Sequence, residues 1–198
     1  RIALITGASR GLGAALAEAL GAEGWHVVAV ARTTGALEEL DDRIKAKGGN
    51  ATLVPVDITN DDAMRQICLS IHQRWGKVDL WAHCAVHVPP LSPAGHAAVK
   101  DWDKTLAITL RATGTLIPMI EPLLRASGRG QALFFEDAVW QEQSGVAKFF
   151  GPYAAAKAGQ IALARAWQAE NAGLGAAKAP QVVIDRPAPM PTATRARF

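Results

Sequence analysis

Thr6-Gly7-Ala8-Ser9-Arg10-Gly11-Leu12-Gly13 separates the apolar run Ile2-Ala3-Leu4-Ile5 from the helical pattern Ala14-Ala15-Leu16-Ala17-Glu18-Ala19-Leu20. Bare backbone can turn tightly and come close to a charged group, and the free amides at the positive end of a helix stabilise a diphosphate. A plain strand-to-helix connection can use the same residues, but the strand before and helix after are the context a dinucleotide site requires. Gly7, Ser9, Arg10, Gly11, Leu12 and Gly13 are therefore the candidate phosphate contacts.

Outward from this turn, short runs rich in Val, Ile and Leu alternate with longer stretches of helical period. Strands are expected at Ile2 to Thr6, His26 to Ala31, Ala51 to Val56, Val78 to Ala82, Ala132 to Phe135 and Val182 to Ile184. Helices are expected at Leu12 to Ala22, Ala36 to Lys47, Asp61 to Trp75, Trp102 to Leu124 and Tyr153 to Ala169. Right-handed crossovers between such units give an α/β fold, a doubly wound parallel sheet in the order 3-2-1-4-5-6 with helices on both faces, in three α/β/α layers. No internal repeat interrupts the pattern, and Ala172 to Pro180 reads as a flexible connection.

At 198 residues, 49% hydrophobic and 20% charged, the chain fits one globular domain over 1–198, with no apolar run long enough to span a bilayer. The 21 basic and 18 acidic residues are scattered, giving a formal charge of +3 and no block that would bind nucleic acid. Cys68 and Cys84 form no disulfide framework, which points to a reducing compartment, the cytoplasm. The chain opens on Arg1, not Met, and both ends read as cut.

The end of the second strand reads Val30-Ala31-Arg32-Thr33-Thr34 and lacks the acidic residue that would meet a ribose 2′-hydroxyl. A carboxylate there would repel a 2′-phosphate, whereas Arg32 and Arg10 can bind one through charge-assisted bonds, unless both are simply solvated surface residues. NADP(H) is thereby favoured over NAD(H). Asp57-Ile58 follows the third strand, where the Asp can also act as a turn or capping residue.

The glycine spacing TGxxxGxG at Thr6 to Gly13 resembles that of the short-chain dehydrogenase/reductase family, and the likeness continues over almost the whole chain. It implies a Rossmann domain in which Asp57 looks toward the adenine amino group and Ile58 covers the ring. Tyr153 and Lys157, at i and i+4, share one helix face. A phenol titrates near 10 in water, and a neighbouring ammonium favours its phenolate. In the resembling family this Tyr exchanges a proton with the substrate oxygen, and the Lys also holds the nicotinamide ribose.

The chain departs from the family at several positions. Asp137, in Phe134-Phe135-Glu136-Asp137-Ala138, stands at the family's serine, although a spacing longer by about three residues allows a slip onto Glu136 or Ala138. An ionised Asp137 can accept a proton from a substrate hydroxyl or from Tyr153 but cannot donate to a carbonyl, so hydroxyl oxidation would suffer less than ketone reduction. Ser144 is either a turn residue beside Gly145 or a loop residue that folds back to supply a hydroxyl instead. Thr109 replaces the Asn that helps link the lysine to solvent, and His83-Cys84-Ala85-Val86 replaces Asn-Asn-Ala-Gly, with Ala85 a coenzyme contact. His83, Cys84 and His87 lack a metal-ligand spacing, and no metal is expected. The tryptophans and Phe149-Phe150 read as core and helix-interface residues, with Trp140 or Phe149 as candidates for the wall of a substrate pocket.

Pro187-Ala188-Pro189-Met190-Pro191-Thr192 resembles the family's Pro-Gly segment, whose later Thr, here Thr192, approaches the carboxamide and pyrophosphate. The family's lid and seventh strand are not found after it. The resemblance implies an NADP(H)-dependent oxidoreductase acting on a small carbonyl or alcohol, with Tyr153, Lys157, Asp137 and Thr109 as its catalytic set. It also implies a homodimer or homotetramer built on the two long helices. A dinucleotide-binding sensor or scaffold is the alternative, supported by the replaced Ser and Asn.

Overall fold

The computed structural model describes residues 1–137, 141–142, 145–146, 148–175 and 178–188, of which 141–142 and 145–146 are described by backbone alone. Trp140, Ser144, Ala138 and Thr192 lie outside the described residues.

Strands β1 (Ile2–Thr6), β2 (His26–Ala31), β3 (Asn50–Pro55), β4 (Leu80–His83), β5 (Gln131–Phe135) and β8 (Gln181–Asp185) form a six-stranded sheet in the order β3-β2-β1-β4-β5-β8. Every pairing in it is parallel, with Ile5 opposite Ala29 on one side and Ala82 on the other. The expected strand order holds, and the sixth strand is numbered β8 because a short antiparallel pair, β6 (Gln141–Glu142) and β7 (Gly145–Val146), precedes it.

Side chains two apart on a strand share a face, and this alternation builds two cores. Leu4, Val28, Trp81 and Phe134 pack on one side against α3 (Asp61–Trp75), α5 (Ala112–Ala126) and α6 (Gly151–Asn171). Ile5, Val27, Ala29 and Ala82 pack on the other against α1 (Gly11–Ala22) and α2 (Thr34–Ala46). Leu4, Ile5, Leu37 and Leu116 are fully buried, each such side chain contributing about 1.5–3 kcal/mol of transfer free energy.

α3 shows the sequence logic of a well-ended helix. The Asn60 side chain accepts from the Ala63 amide at its start, and Gly76 leaves it in the left-handed region at φ 72°. The helix expected from Trp102 to Leu124 is different: α4 (Val99–Thr105) runs into a π-helical turn at Leu106–Arg111 before α5 begins. The wider turn changes which backbone carbonyls face inward, with a consequence at the site. Among the described residues no helix is long and apolar enough to cross a membrane. The strand order reverses between β1 and β4, and the crevice above a reversal is where such sheets bind ligands.

Candidate active site

A cavity of about 530 Å³ opens over the carboxyl ends of β1, β2, β4 and β5. Its floor is the glycine turn. Gly7 has φ 78°, and a Cβ there would lie 2.6 Å from the Ala85 nitrogen. The Gly7 and Ala8 amides donate to the Val30 carbonyl at 2.9 and 3.1 Å, tying the turn to β2. A Cβ at Gly13 would run into the Gly7 carbonyl oxygen, so α1 packs against the turn only because that position is bare. Among the described residues no side chain caps α1, and its first turn carries no acid, so its amides face the cavity with their partial charge unneutralised. This cradle fits a dinucleotide diphosphate.

Ser9, Arg10, Gly11 and Leu12 line the cavity beside it, as do Arg32, Asp57, Ile58 and Ala85. Asp57 divides its oxygens. Oδ1 accepts from the Thr59 amide and hydroxyl at 2.9 and 2.8 Å, closing a turn, while Oδ2 lies 3.9 Å from Arg32 Nη1. The Arg32 side chain keeps 53% of its surface exposed, and an arginine held this loosely retains donors for a further anion.

The opposite wall carries acid/base groups. Pro152 lies in the first turn of α6, where its missing N–H costs nothing, and Tyr153 follows it into the cavity. The Tyr153 hydroxyl donates to Asp137 Oδ2 at 2.9 Å. Burial, then the charge of Asp137, then the hydrogen bond to it raise the Tyr153 pKa well above its ordinary value. The phenol is therefore neutral at pH 7. Glu136 serves elsewhere, pairing with Arg165 at 2.5 Å and lying 3.9 Å from Arg186. Of the two acids after β5, it is Asp137 that meets the phenol.

Lys157 also lines the cavity and is 3% exposed. Burial lowers its pKa to about 8 against the pull of Asp137, Cys84 and Glu136. Its ammonium donates to Gln160 Oε1 at 2.7 Å. Thr109 stands behind the cavity wall, fully buried. Its hydroxyl accepts from the His87 amide at 3.1 Å, and its carbonyl, in the π-helical turn, accepts from Gln160 Nε2 at 2.9 Å. Gln160 was not legible as a site residue, although its i+3 spacing from Lys157 was available as a signal. Both nitrogens of His83 are taken by threonine hydroxyls, Nδ1 by Thr6 at 2.7 Å and Nε2 by Thr113 at 2.9 Å. Burial above all, and then the charge of Lys157, lower its pKa to about 3 and keep it neutral.

Val86, Val88 and Phe150 make an apolar collar around Tyr153. Phe135 and Phe150 both line the cavity; Phe149 points outward, 51% exposed, on a left-handed backbone with φ 70°. Val86, in place of a glycine, and Pro187 and Ala188 also border the cavity.

A parallel sheet with a glycine cradle at its reversal and a buried Tyr/Lys pair across the cavity defines a nicotinamide-dinucleotide oxidoreductase type of site. The family model for short chain dehydrogenase matches residues 1–196, and the chain belongs to that family. It is 31% identical over 176 residues to a fatty acyl-CoA reductase of Acinetobacter baylyi, a match covering 86% of this chain and 57% of that protein. It is 28% identical over 175 residues to the glycine betaine reductase ATRR of Emericella nidulans, covering 88% of this chain and 14% of that protein. The chain thus spans about half the length of the first and a small part of the second. Among solved structures, a metagenomic short-chain oxidoreductase in complex with NADP superposes with a TM-score of 0.84 at 26% identity, covering 96% of this chain and 83% of that one.

Proposed function

We propose that this chain forms the coenzyme-binding and catalytic core of an NADP(H)-dependent oxidoreductase that moves hydride between nicotinamide and a carbonyl or secondary alcohol. The observation that carries this reading is the convergence of Tyr153, Lys157 and Asp137 on the cavity whose floor is the Gly7 to Gly13 turn. When bound, the coenzyme supplies or takes up the hydride. The turn and the α1 amides hold its diphosphate, Arg32 and Arg10 its 2′-phosphate, Asp57 and Ile58 its adenine, Ala85 the approach to its nicotinamide half, and Lys157 its ribose. Thr192, in the family's position, would add a contact to the carboxamide.

Tyr153 exchanges the proton on the substrate oxygen. As a neutral phenol it is the acid that carbonyl reduction requires, but Asp137 competes for the same hydrogen. In the other direction the substrate hydroxyl gives its proton to the Tyr153 oxygen as the phenol passes its own along the existing hydrogen bond to the Asp137 carboxylate, which is an acceptor only. Oxidation of an alcohol therefore suits these residues better than reduction of a ketone. Thr109 acts at one remove, through Gln160 on Lys157.

Titration of the purified protein with NADPH and NADH by fluorescence, followed by a panel of alcohols, ketones and aldehydes, tests the reading. NADPH should bind more tightly, and Tyr153→Phe should lower turnover by about 10²–10⁴-fold while leaving coenzyme affinity in place. The second reading, a dinucleotide-binding sensor or scaffold, is favoured by the bond to Asp137 that holds the phenol neutral. Saturable binding with no turnover across the panel would select it, and failure to bind either dinucleotide would refute both.

A further inference from the structure

Behind the cavity the buried polar residues form one connected chain. Lys157 donates to Gln160 Oε1 at 2.7 Å, and Gln160 Nε2 donates to the Thr109 carbonyl at 2.9 Å and to Thr113 Oγ1 at 3.0 Å. Thr113 meets His83 at 2.9 Å, and His83 meets Thr6 at 2.7 Å. Thr6, Thr109, Thr113 and Gln160 are fully shielded from solvent. The end groups dictate how the amide lies, because an ammonium only donates and a backbone carbonyl only accepts. Turned over, the amide would set its NH₂ against the ammonium and its oxygen against the Thr109 carbonyl.

We propose that Gln160 is a positioning residue for Lys157: its amide, anchored to the π-helical turn between α4 and α5, fixes the ammonium at the cavity and stabilises it in its charged form. A buried ammonium without an acceptor is costly, and a neutral acceptor relieves that cost without adding a second buried charge. The other ionisable groups around Lys157 are Asp137 and Glu136 beyond β5, His83 and Cys84 at the end of β4, and Tyr153 on α6 itself. The acceptor that the ammonium meets directly is the Gln160 amide oxygen. The amide neither gains nor loses a proton near neutral pH, so the link holds Lys157 in place without carrying protons to it.

The consequence for coenzyme binding rests on Lys157 being the ribose anchor proposed above, whereas the consequence for Lys157 itself does not. The test uses the full chain labelled with ¹³C at lysine Cε, the Lys157 resonance being assigned by its loss in Lys157→Arg. Gln160→Met keeps the length and removes the acceptor. Gln160→Asn keeps an amide among the same polar neighbours but falls one methylene short of Lys157. In both, the Lys157 titration midpoint should fall by about one pH unit or more, since a hydrogen bond to a charged group stabilises it by roughly tenfold or more. The NADPH dissociation constant should rise by about tenfold for the same reason.

The other lysine resonances report whether each variant is folded, and Gln160→Asn decides the matter where Gln160→Met does not fold. An unmoved Lys157 midpoint in a folded variant overturns the proposal. If the unsubstituted protein binds neither dinucleotide, the oxidoreductase reading fails, while the midpoint still decides the role of Gln160.

Discussion

In the proposed reaction the bond from Tyr153 to Asp137 sets which proton the site moves. Burial alone would raise the phenol, and the carboxylate raises it further by charge and by accepting its hydrogen. Asp137→Ser removes both added effects and leaves burial, so the phenol should ionise at lower pH. The same change removes an attraction that keeps Lys157 charged, and its value should drop below the present one of about 8. Tyr153 is the one tyrosine in the sequence, so its ultraviolet titration profile reports the phenol directly and should move to lower pH by about one pH unit or more in Asp137→Ser. Superimposable profiles for the two proteins would show that Asp137 does not control the phenol. Tyr153 and Lys157 were legible from i, i+4 spacing after the fifth strand, and Asp137 from its place in the chain. Gln160 was not, because a glutamine in an Ala-rich helix reads as solvated, and its burial depends on Thr109, 51 residues away.

At the level of elements, the alternation of strand and helical patterns carried the sheet order, because a parallel sheet buried on both faces leaves few other arrangements. The π-helical turn at Leu106–Arg111 escaped detection. One widened turn scarcely disturbs a helical apolar pattern, and its contacts come from the His87 amide and Gln160. The glycine turn offers the sharpest test at this scale, for Gly7 within it and Gly35 in α2 have opposite requirements. Gly7→Ala forces a left-handed backbone on a residue with a Cβ and presses that atom toward the Ala85 amide. It should destabilise the fold by about 1–3 kcal/mol and abolish tight coenzyme binding. Gly35, inside α2, has open space where its Cβ would go, and Gly35→Ala should stabilise by about 0.4–1 kcal/mol through the unfolded chain. Thermal melts of the two variants should therefore move in opposite directions. Equal shifts would remove the turn's claim to a special backbone.

Across the whole molecule, the cavity is assembled from segments far apart in the chain: the turn after β1, Arg32 after β2, Asp137 after β5 and the first turns of α6. A ligand that touches all of them binds only the folded chain, and its binding free energy is added to the stability of the entire fold. At a hundred times its dissociation constant such a ligand contributes about 2.7 kcal/mol. For a protein of this size that raises the melting temperature by roughly 5–11 °C. NADPH and NADH differ only at the 2′-phosphate, and the half-exposed Arg32 guanidinium at the end of β2 is one of the two arginines proposed to meet that group. At equal concentration NADPH should raise the melting temperature more than NADH does, and Arg32→Ala should reduce the NADPH shift toward the NADH one while leaving the NADH shift unchanged. Differential scanning fluorimetry of both proteins with both coenzymes measures all four shifts. Equal shifts in the unsubstituted protein would sink the preference for the phosphorylated coenzyme, whereas a preference undiminished in Arg32→Ala would pass the whole role to Arg10, the other arginine lining the cavity.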